Sequence, residues 1–295
     1  MKKKIVSLVI LIITAVAACV LAGCTKESKL TVTDKGNGAF DCVYEEVKHD
    51  FVVCLPENSK NAPLVIILPG AGDSAENCMN TIEFHKDANP LGYGVCYVTG
   101  SINGKAGRNS KSWNYGRTVN DYDDVGFLKE LIAFLADKYS FDEDRVFCAG
   151  FSNGGFMNHR LALEAQDTFK ACVSVAGALC KNLWDKRAEK NDFGFMQIVG
   201  EIDEAVPKNL DGSATYALDP AIEDVIDYYV SSNGLEKKSE ETIGNGSTFI
   251  KYGKDGDEDS IWTILVKDGR HAWPNEELNG FSTNKLVLDF FGSWK

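Results

Sequence analysis

Arg145-Val146-Phe147-Cys148-Ala149-Gly150-Phe151-Ser152-Asn153-Gly154-Gly155-Phe156 joins a strand-like run to a helix-like one through a serine between glycines. Its first five residues, four of them apolar, are strand-like, and its last four open a segment, Asn153 to Glu164, with helical spacing. Between them Gly150-Phe151-Ser152-Asn153-Gly154 matches Gly-x-Ser-x-Gly. A Gly/Ser turn is common on its own, so the context carries the weight. A nucleophile elbow needs a sharp strand-to-helix turn that exposes a strained serine, with glycines beside it to admit neighbouring backbone. Both conditions are present.

The elbow predicts its surroundings. Leu64-Val65-Ile66-Ile67-Leu68 reads as a strand covered on both faces, and similar strands are expected at Gly94 to Val98, Ala171 to Val175 and Phe195 to Val199. Helical spacing of apolar residues marks Tyr122 to Tyr139 and Pro220 to Ser232. Alternating strands and helices imply crossover units and a mainly parallel sheet with helices on both faces. Cys42 to Glu46 and His49 to Leu55 predict an antiparallel entry. Thr248 to Tyr252 and Ser260 to Val266 predict a late hairpin around the acidic turn Lys254 to Asp259.

A serine needs a base, and the base an orienting carboxylate. Elbow serines of this kind precede first the acid and then the histidine in the chain. Of the four histidines, only His271 follows Ser152 with room for an acid between. His159 lies seven residues along the same helix, ~10 Å away at about 1.5 Å per residue, and is read as structural. His49 and His85 precede the elbow and are read as surface or strand residues, with His85 near a cleft left open. The acid is expected on the loop after Phe195 to Val199. Asp203 is the choice there, followed closely by Pro207, with Glu201 and Glu204 as competitors. The oxyanion formed on attack needs backbone donors. These are assigned to the N–H groups of Asn153 and Ala71, the latter in the loop Leu68-Pro69-Gly70-Ala71-Gly72, where Gly70 is the alternative.

The chain has 295 residues, 44% hydrophobic and 25% charged, with 27 Gly and 7 Pro scattered without period. That is a globular composition, not a disordered or collagenous one. A formal charge of −12, from 43 acidic and 31 basic residues, excludes a general nucleic-acid binder. No CxxC or Cys/His spacing points to zinc, and neither metal nor cofactor is expected.

The N-terminus reads as targeting. Lys2, Lys3 and Lys4 precede an uncharged run from Ile5 to Gly23, the charged and apolar regions of an export signal. At close to the ~20 residues that span a bilayer, the run also admits an uncleaved anchor. Leu21-Ala22-Gly23-Cys24 resembles the lipobox of bacterial lipoproteins and favours cleavage with a lipid on Cys24. The expected organisation is therefore a signal over 1–23, a lipidated cysteine and polar tether over 24–38, and one catalytic domain over 39–295. Seven further cysteines, Cys42, Cys54, Cys78, Cys96, Cys148, Cys172 and Cys180, leave at least one thiol unpaired even where export permits disulfides.

Taken together, Leu68 to Asn77, Ser112-Trp113-Asn114, Asp123 to Leu163, Gly200 to Pro207 and Gly269-Arg270-His271-Ala272-Trp273-Pro274 resemble exported α/β-hydrolase esterases. The type is that of the polyhydroxybutyrate depolymerases and feruloyl esterases, which overlap the family-one carbohydrate esterases. The resemblance covers most of residues 40–293, and its serine, aspartate and histidine fall on Ser152, Asp203 and His271. The chain departs from it at Pro69-Gly70 and Val199-Gly200, where the family has His-Gly. The resemblance implies an α/β-hydrolase fold and a serine esterase acting through an acyl-enzyme on feruloyl or acetyl esters of plant cell-wall xylan, or on polyhydroxybutyrate. Trp113 and Trp273 are read as lining the acyl or sugar pocket, since aromatic faces pack on acyl groups and sugar rings, with core packing the alternative for both; the resemblance, by its position beside the histidine, favours Trp273. A peptidase and a noncatalytic glycan-binding lipoprotein are the competing readings; an intact triad argues against the second.

Overall fold

The computed structural model describes residues 28–102, 111–117, 122–191, 193–209, 215–254 and 260–294. The proposed leader, Cys24 and most of the acidic turn at 254–259 lie outside them. Eleven strands form one sheet: β1 (Leu30–Gly36), β2 (Ala39–Tyr44), β3 (Val47–Cys54), β4 (Leu64–Leu68), β5 (Gly94–Val98), β6 (Val146–Phe151), β7 (Ala171–Val175), β8 (Gly194–Gly200), β9 (Glu236–Ile243), β10 (Ser247–Gly253) and β11 (Ile261–Val266). Their order is β1-β2-β3-β5-β4-β6-β7-β8-β11-β10-β9. The six strands from β5 to β11 in that order pair in parallel, and the two ends are antiparallel.

The helices are α1 (Ala75–Ile82), α2 (Phe84–Ala88), α3 (Asp124–Tyr139), α4 (Asn153–Glu164), α5 (Lys181–Trp184), α6 (Ile222–Ser232), α7 (Glu276–Asn279) and α8 (Thr283–Ser293). Strand β4 shows why two layers of them are needed. All five of its side chains are buried, Leu64, Ile66 and Leu68 in one core and Val65 and Ile67 in the other. The first core takes Leu128, Leu131 and Leu135 from α3, Phe156 and Leu161 from α4, and Val225 and Tyr229 from α6. The second takes Cys78 from α1, Phe84 from α2, and Val287, Phe290 and Phe291 from α8. This is the α/β-hydrolase fold, with a mixed, mainly parallel sheet and antiparallel N-terminal strands.

Strands β5 and β6 lie on opposite sides of β4, so the chain reverses its direction of travel across the sheet there. Crevices beyond the carboxyl ends of strands form at such switch points. Ser152 follows β6 at that end.

The expected tether is shorter than its polarity suggested. Residues 30–36 form β1, paired with β2 from Leu30↔Tyr44 to Gly36↔Ala39, and Leu30 and Val32 pack against the core. Two alternating apolar residues suffice for a strand once a partner edge lies beside them. The following strand is Ala39–Tyr44 rather than Cys42 to Glu46, because Glu45 and Glu46 turn the chain with φ of 45° and 70°. No helix among the described residues is long and apolar enough to cross a membrane.

Candidate active site

Ser152 sits between β6 and α4 with φ 52° and ψ −116°. A non-glycine residue in this region costs of order 1–3 kcal/mol and persists only where its surroundings over-determine it. Here the Ser152 N–H donates to the Val175 carbonyl at 2.9 Å, and its own carbonyl accepts from Phe156 N–H at 2.9 Å. The flanking glycines are steric necessities. A Cβ on Gly154 would collide with the Leu68 carbonyl, and one on Gly150 would collide with the carbonyl of Gly154.

The loop after β8 delivers the acid. Glu201 N–H donates to Val266 O at 3.0 Å and Ile202 N–H to Gly269 O at 3.0 Å, which ties the acid loop to the histidine loop. Asp203, its side chain fully buried, uses Oδ1 to accept the N–H groups of Ala205 and Val206 at 2.9 and 2.8 Å. Its Oδ2 lies 2.8 Å from His271 Nδ1, and His271 Nε2 lies 2.9 Å from Ser152 Oγ. A carboxylate only accepts, so Nδ1 carries the proton and Nε2 offers its lone pair to the serine hydroxyl. The Phe151 ring packs on the imidazole at 5.0 Å between centroids.

The rival acids stand elsewhere. Glu201 pairs with Lys267 at 2.9 Å, and this lysine holds its carboxyl below the usual range; Glu204 is exposed. The other histidines are also occupied. His159 is fully buried, its Nε2 lies 3.0 Å from Gln197 Oε1, and burial pushes its pKa down to about 3. His49 is buried in β3, stacked on Phe127, with Nδ1 3.1 Å from the Thr99 carbonyl and a pKa lowered to about 4 by burial. His85, expected as a surface or strand residue, lies in α2 against the Tyr97 hydroxyl.

The loop after β4 reaches the elbow at Gly70, where a Cβ would touch Ser152 Cβ at 3.4 Å. Gly70 to Asp73 form a turn closed by Asp73 N–H to Gly70 O at 3.2 Å, with Gly72 at φ 86° in its third position. Ala71 is exposed at the second. Neither the Ala71 nor the Asn153 N–H donates to a protein acceptor among the described residues.

The two tryptophans separate. Trp273 is half-buried, donates from Nε1 to Asn284 Oδ1 at 3.0 Å, and lines a cavity of about 390 Å³ together with Gly70, Phe151, Ile82 and His271. Trp113 is 1% exposed within the first core, so its ring is packing rather than a presented wall. Its backbone matters instead: Trp113 N–H donates to Asn153 Oδ1 at 2.6 Å. Nothing in the local sequence signals that link, because it joins residues 40 positions apart.

All seven described cysteines are thiols, and every one except Cys54 is buried. Among the described residues no group of three or more His, Cys, Asp or Glu is placed to hold a metal ion.

Known proteins share this geometry's framework. A model of the prolyl oligopeptidase family matches residues 83–210. The "Putative esterase NocK" of Nocardia uniformis subsp. tsuyamanensis is 26% identical over 243 residues, 74% of this chain and 67% of that protein. Feruloyl esterase B of Piromyces equi is 29% identical over 114 residues, 38% of this chain but only 21% of that protein. Among solved structures, the acetyl xylan esterase from Aspergillus awamori superposes with a TM-score of 0.61 at 14% identity, covering 90% of this chain and 99% of its own. Placed on that framework, the Ser152–His271–Asp203 chain of hydrogen bonds makes this protein a serine hydrolase of the α/β-hydrolase fold.

Proposed function

We propose that the protein is an exported, lipid-anchored serine esterase that hydrolyses carboxylic acyl esters, with feruloyl or acetyl esters of plant cell-wall xylan as its substrate class. The observation that carries the reading is the continuous line Ser152 Oγ, His271 Nε2, His271 Nδ1, Asp203 Oδ2, with both contacts at 2.9 Å or less. His271 takes the serine proton as Oγ attacks the ester carbonyl. Asp203 stabilises the imidazolium that results. The developing oxyanion falls to the N–H groups of Asn153 and Ala71, where one such donor is worth on the order of 100- to 1000-fold in kcat. His271 then returns its proton to the leaving alcohol. Water, deprotonated in turn by His271, releases the acyl group from Ser152.

The cavity beside His271 supports the acyl or alcohol side, since Phe151 and Trp273 give it aromatic walls and its lining includes His271 and Gly70, both next to Ser152. The feruloyl and acetyl xylan esterase relatives support the choice of ester. Export and lipidation rest on the Lys2 to Gly23 leader and the Leu21 to Cys24 motif. The polyhydroxybutyrate substrate shares the same chemistry and stands second. An amide substrate is the reading favoured by the prolyl oligopeptidase match.

The test is hydrolysis of methyl ferulate, acetylated xylan, a hydroxybutyrate oligomer and a peptide anilide by the purified protein, with Ser152→Ala as control. Serine-dependent release from either of the first two supports the proposal. Turnover of the oligomer alone, or of the anilide alone, overturns it in favour of the corresponding alternative.

A further inference from the structure

The segment Ser112–Gly116 is bonded along its whole length, and its partners lie on three sides. Ser112 O accepts both the N–H and the hydroxyl of Ser101, at 3.0 and 3.1 Å, beyond the end of β5. Trp113 N–H donates to Asn153 Oδ1 at 2.6 Å, and Asn153 Nδ2 donates back to Trp113 O at 3.4 Å. Asn114 N–H donates to Asp124 Oδ2 at 2.5 Å, Asn114 O accepts from Arg160 Nη1 at 2.6 Å, and Asn114 Nδ2 donates to Tyr122 O at 2.8 Å. Asn153 and Arg160 are the first and eighth residues of α4, so the adjacent Trp113 and Asn114 are fastened to that helix at two points about two turns apart.

Asp124 is 1% exposed at the first turn of α3, where a carboxylate is costly to bury. Burial pushes its pKa up to about 7, while the Asn114 N–H and the Arg160 guanidinium pull the other way. The Arg160 guanidinium on one side makes its bond to Asn114 O the strong, charge-assisted kind, and the buried Asp124 carboxyl holds the Asn114 N–H on the other. A buried, charge-assisted clamp on a loop is an expense that packing alone does not require. Its other end holds the side chain of Asn153, whose backbone N–H stands next to the nucleophile.

We propose that Asp124 and the Asn153 side chain are positioning residues, joined through the Trp113–Asn114 backbone, that hold the Asn153 N–H in place for the oxyanion. The inference rests on the serine-hydrolase reading of Ser152 and deepens it. The Asp124 carboxyl oxygen that accepts the Asn114 N–H fixes Asn114; Asn114 fixes the Trp113 peptide; that peptide holds the Asn153 side chain on both its polar atoms, and with it the orientation of the peptide between Ser152 and Asn153. None of these side chains touches the reacting atoms.

The test is a double-mutant cycle with Asp124→Ala, Asn153→Ala and the pair, plus Asp124→Asn. The readouts are kcat and KM on a small acetate ester, affinity for an alkyl boronic acid that forms a tetrahedral adduct on Ser152, and the rate of fluorophosphonate labelling. Each single substitution displaces one oxyanion donor without removing it, so kcat is expected to fall ~10- to 100-fold, less than the ~100- to 1000-fold that losing such a donor outright costs. KM should stay within about 2-fold, boronate affinity should fall in parallel with kcat, and the double variant should be no worse than the weaker single, because the two act along one path. Asp124→Asn keeps an acceptor for Asn114 N–H and is expected to recover most of the loss, which covers the case in which Asp124→Ala does not fold. Multiplying losses in the double variant, a raised KM with unchanged kcat, or unchanged boronate affinity overturns the proposal. A wild-type protein that cleaves no ester but labels at Ser152 refutes the esterase reading alone, and the labelling rates then carry the cycle. Wild-type labelling no faster than that of Ser152→Ala refutes the serine-hydrolase reading on which both depend.

Discussion

Asp203→Asn is the substitution whose outcome the geometry constrains most tightly. An asparagine in this position has the same shape but two different ends, and the protein decides which way it points. Oδ1 of Asp203 accepts from the N–H groups of Ala205 and Val206, so the amide oxygen must take that place. Its NH2 group is then left facing His271 Nδ1 from the position of Oδ2. An amide nitrogen only donates, and it therefore forces Nδ1 to accept and moves the ring proton to Nε2, opposite Ser152 Oγ. The base becomes a donor and can no longer take the serine proton. Loss of the correct tautomer typically costs about 10⁴ in kcat, or about 5.5 kcal/mol of barrier. The assay is kcat on an activated acetate ester and on methyl ferulate, with thermal unfolding as the folding control. An Asp203→Asn protein that is folded and within 10-fold of wild type refutes the assignment and the hydrogen-bond argument together.

Other substitutions separate strain, stability and chemistry. Ser152→Ala should abolish ester hydrolysis, and Ser152→Gly should do the same while melting at a higher temperature than Ser152→Ala, because glycine relieves a φ of 52° worth of order 1–3 kcal/mol; equal melting temperatures would show the elbow unstrained. Gly154→Ala sets a methyl against the Leu68 carbonyl and should destabilise the protein by at least ~2 kcal/mol in denaturant titration, with activity lost. Glu201→Ala removes a solvent-screened pair with Lys267 and a hydrogen bond from Asp268 N–H, neither of which touches the Ser152–His271–Asp203 line, and should leave kcat within ~2-fold and the melting temperature nearly unchanged. Acid sensitivity should depend on His159. Its folded pKa of about 3 lies below the unfolded value of ~6.5, so the unfolded chain binds a proton first and stability falls as pH drops from ~6.5 toward 3. Replacing it in His159→Gln should reduce the slope of unfolding free energy against pH by up to ~1.4 kcal/mol per unit between pH 6 and 4, and an unaltered slope would contradict a neutral buried imidazole.

What could be read from the chain was chemistry confined to a few adjacent residues. The aliphatic runs of β4 and β7 announce strands covered on both faces, and the glycines of 150–154 announce a turn that backbone must approach closely. The order of serine and histidine left one base available. Long-range placement was less visible. β1 was hidden because a polar stretch becomes a strand only when β2 offers its edge, and β9, with Glu236, Lys237 and Glu240 along it, has the composition of a solvated segment until β10 pairs with it. The helix α1 was missed although Ser74 caps it through Asn77 N–H at 3.2 Å. Trp113 shows a choice that the sequence leaves open, between a ring presented to the pocket and one packed in the core: the ring fills the core and the peptide does the linking.

The same distinction explains how a strained serine is held. Its local sequence permits the elbow, since glycine at 150 and 154 removes two collisions, but permission does not enforce φ 52° on a residue with a Cβ. Enforcement comes from neighbours in space. The Val175 carbonyl on β7 takes the Ser152 N–H, Phe156 fastens the Ser152 carbonyl to the first turn of α4, and Leu68 and Gly70 on the far side leave no room for the turn to relax. Strands β4 and β7 flank β6 in the sheet, so the restraint arrives from both sides of the strand that carries the nucleophile. His271 reaches Ser152 from beyond β11, on a loop locked to the acid loop by the Ile202–Gly269 bond. A substitution in β7 or in the Gly269 turn that shifts either carbonyl should therefore lower kcat without touching any member of the hydrogen-bonded chain, because each partner is held by a strand different from its own.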